Sequence, residues 1–244
     1  MNPGKHLDYL LQQWPFDPEC VCVRLVKGCD GRDVIQLRLD LGILQLETVG
    51  RPDGQKPEGF GSMLDLLLSE EQQNPDFELD DDTCVEIDRE FVQFYQRRVA
   101  WLRLQYFQRA MQDADHTLAL MDFCRDHSPD EQWTLRHEQH RAFVIFHRTQ
   151  AAALSFVEQE SAEEAVKQVD EGLELIRESF ADMGWEDQFD EDELVQRLIQ
   201  LRDSLRDEFS VGKTLRDRLA EAVATEQYEL AAQLRDELTR RTEN

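Results

Sequence analysis

Histidine is the residue type whose spacing in this sequence comes closest to metal chemistry. His137, His140 and His147 fall in one segment that predicts a continuous helix, and steps of three and seven residues bring them to roughly one face. A metal site also needs converging ligands and further groups that orient them. The neighbouring residues are rich in glutamine and arginine, which favours a stripe facing solvent or a partner over a metal site.

Thiol chemistry is the second candidate, because the chain contains five cysteines. The count is odd and no pair has Cys-x-x-Cys spacing, which argues against a disulfide framework and a zinc ribbon. Cys20 and Cys22 alternate along a predicted strand and therefore face one side, where Cys29 lies within reach across a hairpin. Core packing is favoured over metal binding or redox sensing at these thiols.

The remaining reactive residue types show no catalytic arrangement. The acidic clusters at 80–82 and 186–193 lack the ordered spacing of a calcium-binding loop, and no serine lies in a G-x-S-x-G turn. Arg97 and Arg98 are interpreted as partners of carboxylates within the chain or on a bound protein. We therefore expect no catalytic residue, no metal ligand and no cofactor, which predicts a protein that is not an enzyme.

The charge of the chain restricts its partners. The formal net charge is −25, and no local basic patch interrupts it. Nucleic-acid binding depends on lysine and arginine neutralising phosphates, so direct contact with nucleic acid is not expected. Anionic membrane surfaces are disfavoured for the same reason. Because no apolar run approaches a membrane span and residues 1–11 lack a signal-peptide pattern, we expect a cytoplasmic protein with protein partners.

The first third of the chain predicts a small β element. A short amphipathic helix is expected within residues 1–18, followed by a β-hairpin, or three short strands, within residues 19–50. Gly42 interrupts the second alternating run and is interpreted as a bulge. An isolated hairpin is only marginally stable, so this element must pack on helices or on a partner. A Gly- and Pro-rich loop, 50–61, follows it.

The rest of the sequence has helical periodicity. Leucines in 62–73 predict a short helix, and helices are then expected from about Asp82 to 126, from 130 to 157, from 162 to 180 and from 194 to 209. The predicted fold is therefore mainly α, with a small N-terminal β element, a tetratricopeptide-like helical array and a C-terminal helical hairpin. The corresponding division is 1–61 (β element), 62–82 (acidic linker), 83–181 (helical array), 182–193 (acidic loop), 194–212 (connecting helix) and 213–241 (hairpin).

Two segments of the helical region are related by an internal offset. Residues 100–120 resemble 153–175, and four pairs within these segments are 55 residues apart: Ala110 and Ala165, Asp115 and Asp170, Leu118 and Leu173, and Leu120 and Leu175. The first segment resembles a tetratricopeptide repeat in its order of small and large packing residues, although Gln105 replaces the usual glycine. An ordinary helical bundle remains open as the alternative.

The C-terminal segment contains two apolar stripes of helical period. The first includes Leu215, Leu219, Ala222 and Val223, and the second includes Tyr228, Ala231, Leu234 and Leu238. A short turn separates the stripes, so the two helices are expected to fold back on each other. A hairpin of this size is too small to be stable alone and is expected to dock on a neighbour or on a copy of itself.

The hairpin resembles the UvrB/UvrC motif. Residues 228–236 read YELAAQLRD, which matches the (F/Y)-E-x-A-A-x-L-R-D core of that motif, and the leucine and alanine spacing upstream matches as well. In that family the hairpin is an interaction device: it pairs the helicase and nuclease of bacterial excision repair, and it occurs in a protein-kinase activator and in protease adaptors. The helicase, nuclease and zinc-site sequences of those proteins are absent from this chain.

The resemblance implies a non-enzymatic adaptor that binds proteins through the hairpin and the helical repeat. Two alternatives remain open: an accessory component of nucleotide excision repair, and a regulator of a protease or protein kinase. The expected partner is another protein with the same motif or a second copy of this chain. The residues expected to shape the hairpin and its contact surface are Leu215, Leu219, Tyr228, Glu229, Leu234, Arg235 and Leu238.

Overall fold

The computed structural model describes residues 7–74, 77–128 and 130–209, together with 219, 222, 223, 225 and 227–242, the last seven of these as backbone only. Within these residues the protein is mainly α-helical, with a small antiparallel sheet near the N-terminus, as the sequence predicts.

The sheet contains three strands, in the order β1 (Cys22–Lys27), β2 (Asp33–Arg38) and β3 (Ile43–Glu47). It follows helix α1 (Asp8–Gln13). The interpretation of Gly42 as a bulge is wrong: the backbones of Leu39 and Gly42 bond to each other in both directions, so the chain turns there between β2 and β3.

The described helices after the sheet account for most of the chain. They are α2 (Met63–Gln73), α3 (Asp81–Arg103), α4 (Phe107–His127), α5 (Glu131–Glu138), α6 (Arg141–Glu158), α7 (Ala162–Asp182), α8 (Glu193–Phe209) and α9 (Tyr228–Thr242). Short 3₁₀ turns lie at Pro57–Gly59 and Glu186–Glu191.

The prediction of one continuous helix before α7 is wrong. The single helix predicted over 130–157 is α5 and α6, which are separated at Gln139 and His140. Neither residue is a glycine or proline, so the sequence carries no breaking signal at this point. His137 therefore lies in α5 and His147 in α6, so the two do not share one helix.

The offset of 55 residues corresponds to a repeated helical hairpin. Gln105 joins α3 to α4 and Glu160 joins α6 to α7, and both have positive φ, of 62° and 57°. The turns also share their backbone hydrogen bonds: the amide of Tyr106 donates to Trp101, and the amide of Ser161, 55 residues later, donates to Phe156. This pattern satisfies carbonyls at the end of each first helix.

Residues that are 55 positions apart are buried to the same extent in only some of the pairs. Ala110 and Ala165 are both fully buried, as close helix packing requires. Leu120 is buried, whereas Leu175 is 43% exposed, so that pair is not equivalent. Assignment of these hairpins to the tetratricopeptide class stays a prediction.

The core comprises three large apolar clusters. One joins α6, α7 and α8, and a second joins α2 to α3, α4 and α5. The third packs the sheet on the helices, where Ile35, Leu37 and Leu46 contact the group that includes Trp101 and Ala110. The β element is therefore covered by the helical region. Leucines of α2 are buried as well, so the segment 62–82 contains a packed helix rather than only a linker.

Buried charges connect the loop after β3 to the helices. Arg97 donates to both carboxylate oxygens of Asp113, at 2.7 and 2.9 Å, and to the backbone carbonyls of Glu47 and Gly50. Glu90, which is fully buried, accepts from the backbone amide of Met63 at 2.8 Å, at the N-terminus of α2. These bonds satisfy buried polar groups and fix the sheet, α2, α3 and α4 in one arrangement.

Helices α6 and α7 approach each other closely at Gly172 in α7, which packs against Thr149 in α6. A Cβ atom at position 172 would lie 2.7 Å from the Cβ of Thr149 and closer still to its Oγ1. We expect Gly172→Ala to lower the free energy of unfolding by about 1–3 kcal/mol, because this overlap outweighs the better helix propensity of alanine. Chemical denaturation measures the change. The exposed Glu174→Ala serves as control, and a stabilised Gly172→Ala variant would contradict the prediction.

None of the described helices combines enough length with enough apolar character to cross a bilayer.

Candidate protein-interaction site

The C-terminal hairpin closes through backbone bonds beside its turn. The amide of Gln227 donates to the carbonyl of Ala222 at 2.7 Å, and the amide of Ala231 donates to the carbonyl of Gln227 at 2.9 Å. Gln227 therefore links the end of the first arm to the first turn of α9. Glu229 lies in that first turn, where the helix dipole favours a carboxylate.

The interior of the hairpin consists of small and branched apolar side chains. Ala222, Ala231 and Leu234 are 2%, 8% and 3% exposed and form one cluster, against which the half-buried Leu219 packs. Alanine on both arms lets the backbones approach closely, and the leucines fill the remaining space. The apolar interior of this hairpin is thus formed within the chain itself.

The outer surface near the turn carries apolar side chains of a different kind. Tyr228 is 67% exposed, Val223 is 53% exposed and Leu230 is 36% exposed. We call these three residues the turn surface. Val223 and Tyr228 lie on either side of the turn, so aromatic and branched surface is available to another molecule at this end of the hairpin.

The structure divides the predicted site residues into two groups. Leu219 and Leu234 belong to the interior, whereas Tyr228, Glu229 and Arg235 are exposed. Leu234 is already covered by its own hairpin, so among these residues it shapes the hairpin, and its place in a contact surface stays a prediction. Leu215 lies outside the described residues, and so does the side chain of Leu238.

Two exposed apolar residues of the turn surface were not among the predicted site residues. Val223 was placed in the first apolar stripe of the hairpin and is exposed, and Leu230 was not singled out. Helical periodicity shows on which face of a helix an apolar residue lies. It does not show how much of that face the other helix of the hairpin covers. The signal that could have found Leu230 is its position, one residue before Ala231, on the side away from the closing contact.

The histidines do not form a shared stripe. The Nε2 atom of His137 lies 2.8 Å from Asp88, and its ring stacks on Phe91 at 4.3 Å. His147 is half-buried, and its Nδ1 accepts from Arg98. Among the described residues, no group of three histidine, cysteine or acidic side chains could hold a metal ion.

The thiols of Cys20 and Cys22 lie together, although β1 begins at Cys22 and Cys20 lies outside the strand that was expected to hold both. The Sγ atoms of Cys20 and Cys22 are 3.2 Å apart, and both thiols are free. The hydrogen bond to Cys22 raises the pKa of the Cys20 thiol to about 11. A thiol with a raised pKa is a poor nucleophile at neutral pH, so this geometry does not indicate a reactive cysteine.

Comparison with known proteins identifies the hairpin. A family model described as the UvrB/uvrC motif matches residues 213–240. No curated protein and no solved structure matches the chain. The match covers the hairpin alone, so it describes this module and leaves the sheet and the helical region unassigned.

Proposed function

We propose, starting from the UvrB/UvrC motif at residues 213–240, that this protein is a non-enzymatic adaptor that binds another protein through the turn surface of its hairpin. The observation that carries the proposal is the division of the hairpin into a closed interior and an exposed apolar end. Leu234 is 3% exposed, whereas Tyr228 is 67% exposed. The buried core of the motif therefore builds the hairpin, and its exposed tyrosine is left for recognition.

The helical region is proposed to act as the second part of the adaptor. Its two hairpins, α3–α4 and α6–α7, form a rigid support whose helices are joined by buried contacts. The net charge of −25 favours partners with a basic surface, which electrostatic attraction would bring together faster. Contact through the turn surface supplies the apolar part of the binding energy, and charge selects the partner.

Attachment to nucleotide excision repair is a second candidate, favoured by the motif itself, which is named for UvrB and UvrC. In this version, the partner is a repair protein that carries the same motif, and contact with DNA is indirect. Affinity purification distinguishes the two versions: recovery of UvrB or UvrC with the full-length chain favours repair, and recovery of other proteins favours a different pathway.

The first test is replacement of Tyr228. We expect Tyr228→Ala to weaken partner binding by about 2 kcal/mol, roughly 30-fold in Kd, because exposed aromatic residues dominate protein interfaces. The hairpin should stay folded, since Tyr228 lies outside its interior cluster. Partners are recovered from cell extract by affinity purification, and Kd is then measured with the purified partner.

Tyr9→Ala is the matched control, because Tyr9 in α1 is 68% exposed and lies far from residue 228 in the sequence. The control variant should bind as the natural chain does. Analytical ultracentrifugation of the chain alone tests for a dimer formed by two hairpins. The proposal would lose its basis if the natural chain and Tyr228→Ala recovered partners equally and Tyr228→Ala also left any dimer of the chain intact.

A further inference from the structure

A cavity of about 490 Å³ lies between α3, α4, α5 and the start of α6. Small-molecule sites usually have volumes of roughly 300–1,000 Å³ and mainly apolar walls. The apolar lining of this cavity consists of Phe91, Val92, Tyr95, Met121, Phe143 and Val144. Its size and walls are therefore those of a site for a compact organic molecule.

A buried guanidinium also lines the cavity. Arg98 is 1% exposed, and it donates from Nη1 to the hydroxyl of Thr117 at 3.0 Å and from Nε to Nδ1 of His147 at 3.3 Å. Both acceptors are neutral groups. Among the described residues, no carboxylate lies within 4.0 Å of this guanidinium, and its Nη2 group has no acceptor.

Arg98 stays charged, and among the described residues only the Tyr95 ring, 5.8 Å from the guanidinium carbon, and the more distant Asp113 act against that charge. Burial and the neighbouring Arg98 charge lower the pKa of His147 to about 4, so this imidazole is neutral at pH 7. Burial lowers the pKa of Arg98 to about 10, which still leaves it protonated. The charge of Asp113 acts on Arg98 from a distance, but both oxygens of that carboxylate are bonded to Arg97.

The remaining polar lining is also more positive than the chain as a whole. Arg136 and His140 are exposed lining residues. Asp88 is the acidic lining residue, and its carboxylate already accepts from the indole of Trp133 and contacts His137. With two arginines against one aspartate, the lining therefore has a net positive formal charge in a chain whose net charge is −25.

We propose that this cavity binds a small organic acid, whose carboxylate pairs with the free edge of Arg98 and whose ring-sized apolar body packs among Phe91, Tyr95 and Phe143. An unpaired buried charge is costly, and a bound carboxylate would offset that cost with charge-assisted hydrogen bonds. The site is formed by the helical region and does not depend on the hairpin or on its proposed function.

Indole-3-acetate is the probe, with the neutral indole-3-acetamide as its matched analogue. Calorimetric titration of the full chain should show binding of the acid, with the amide weaker by about tenfold or more, as loss of a charged hydrogen bond predicts. The acid should also raise the Tm of the chain through binding to the folded state. Acid and amide of equal affinity, or no binding of either, would overturn the proposal.

Two variants separate recognition from folding. Arg98→Met removes the charge at similar length and should reduce affinity for the acid by about tenfold or more, whereas the exposed Arg125→Met should not. Val92→Trp adds bulk at a lining position that is 59% exposed and should weaken binding while Arg98 stays in place. Full binding by both folded variants would show that the acid occupies some other place.

A peptide with a free C-terminus offers the same carboxylate chemistry. N-acetylglycyl-tryptophan and its C-terminal amide therefore form the second pair of probes. Tighter binding of indole-3-acetate supports a free metabolite as the natural ligand, and tighter binding of the peptide acid supports a chain end in the same pocket.

Discussion

We expect replacement of Arg97 by methionine to lower the free energy of unfolding by about 3–5 kcal/mol. Arg97 and Asp113 are each 4% exposed, and the guanidinium holds both oxygens of the carboxylate. Removal of Arg97 leaves Asp113 buried without its partner. It also leaves two backbone carbonyls, those of Glu47 at the end of β3 and of Gly50 in the following loop, without the donor that they share. Urea denaturation followed by circular dichroism measures the loss.

The double variant Arg97→Met with Asp113→Leu identifies the cause. It removes the stranded carboxylate as well, so it should be more stable than Arg97→Met alone. Arg197→Met is the control, because Arg197 pairs with Glu193 at the surface and such pairs contribute less than about 1 kcal/mol. If the single and double variants were equally unstable, the lost loop contacts rather than the stranded charge would explain the effect.

The same ion pair shows what the sequence could and could not predict. The periodicity of α3 identifies the aromatic residues of its buried face, such as Phe91 and Phe94. It suggests that Arg97 and Arg98 lie on the opposite side. In the structure both arginines are buried, because the loop after β3 covers one and α4 and α6 cover the other. The residue pattern of one helix does not indicate which ion pairs and hydrogen bonds it makes with elements that are distant in sequence.

Some helix boundaries could likewise be predicted from the sequence, and others could not. Asp80 precedes α3 and accepts from the amide of Thr83, which is the capping bond that its residue type predicts. The break between α5 and α6 has no such marker. Because the helical periodicity of the sequence continues through it, the break could not be predicted. The turns at Gln105 and Glu160 could not be predicted either, because both residues adopt a positive φ, which usually favours glycine.

The hairpin was the part of the candidate site that sequence identified most directly. A short motif with fixed spacing defines two helices and a turn, and the family match covers the same residues. Which side chains face inward was predictable only for the closing alanines and leucines. Exposure of Val223 depends on the angle between the two arms, which residue spacing does not specify.

The largest expected effect on binding is that of Leu234→Asp, which we expect to unfold the hairpin and abolish partner recovery. Leu234 is 3% exposed in a cluster of few residues, so a carboxylate there is buried without a partner. Loss of the apolar contact and burial of the charge cost at least about 3 kcal/mol, more than so small a module can tolerate. Hydrogen exchange should show protection lost in α9 and retained in α3 to α8.

Leu230→Asp is the matched control, because it makes the same change one helical turn earlier at a side chain that is 36% exposed. It should keep the hydrogen-exchange protection of α9, since no interior contact is removed, while weakening the partner contact at the turn surface. Loss of binding in both variants with protection lost only in Leu234→Asp would separate the two roles of the motif. If Leu234→Asp still recovered the partner, recognition would lie in the helical region, and the hairpin would not be the binding element.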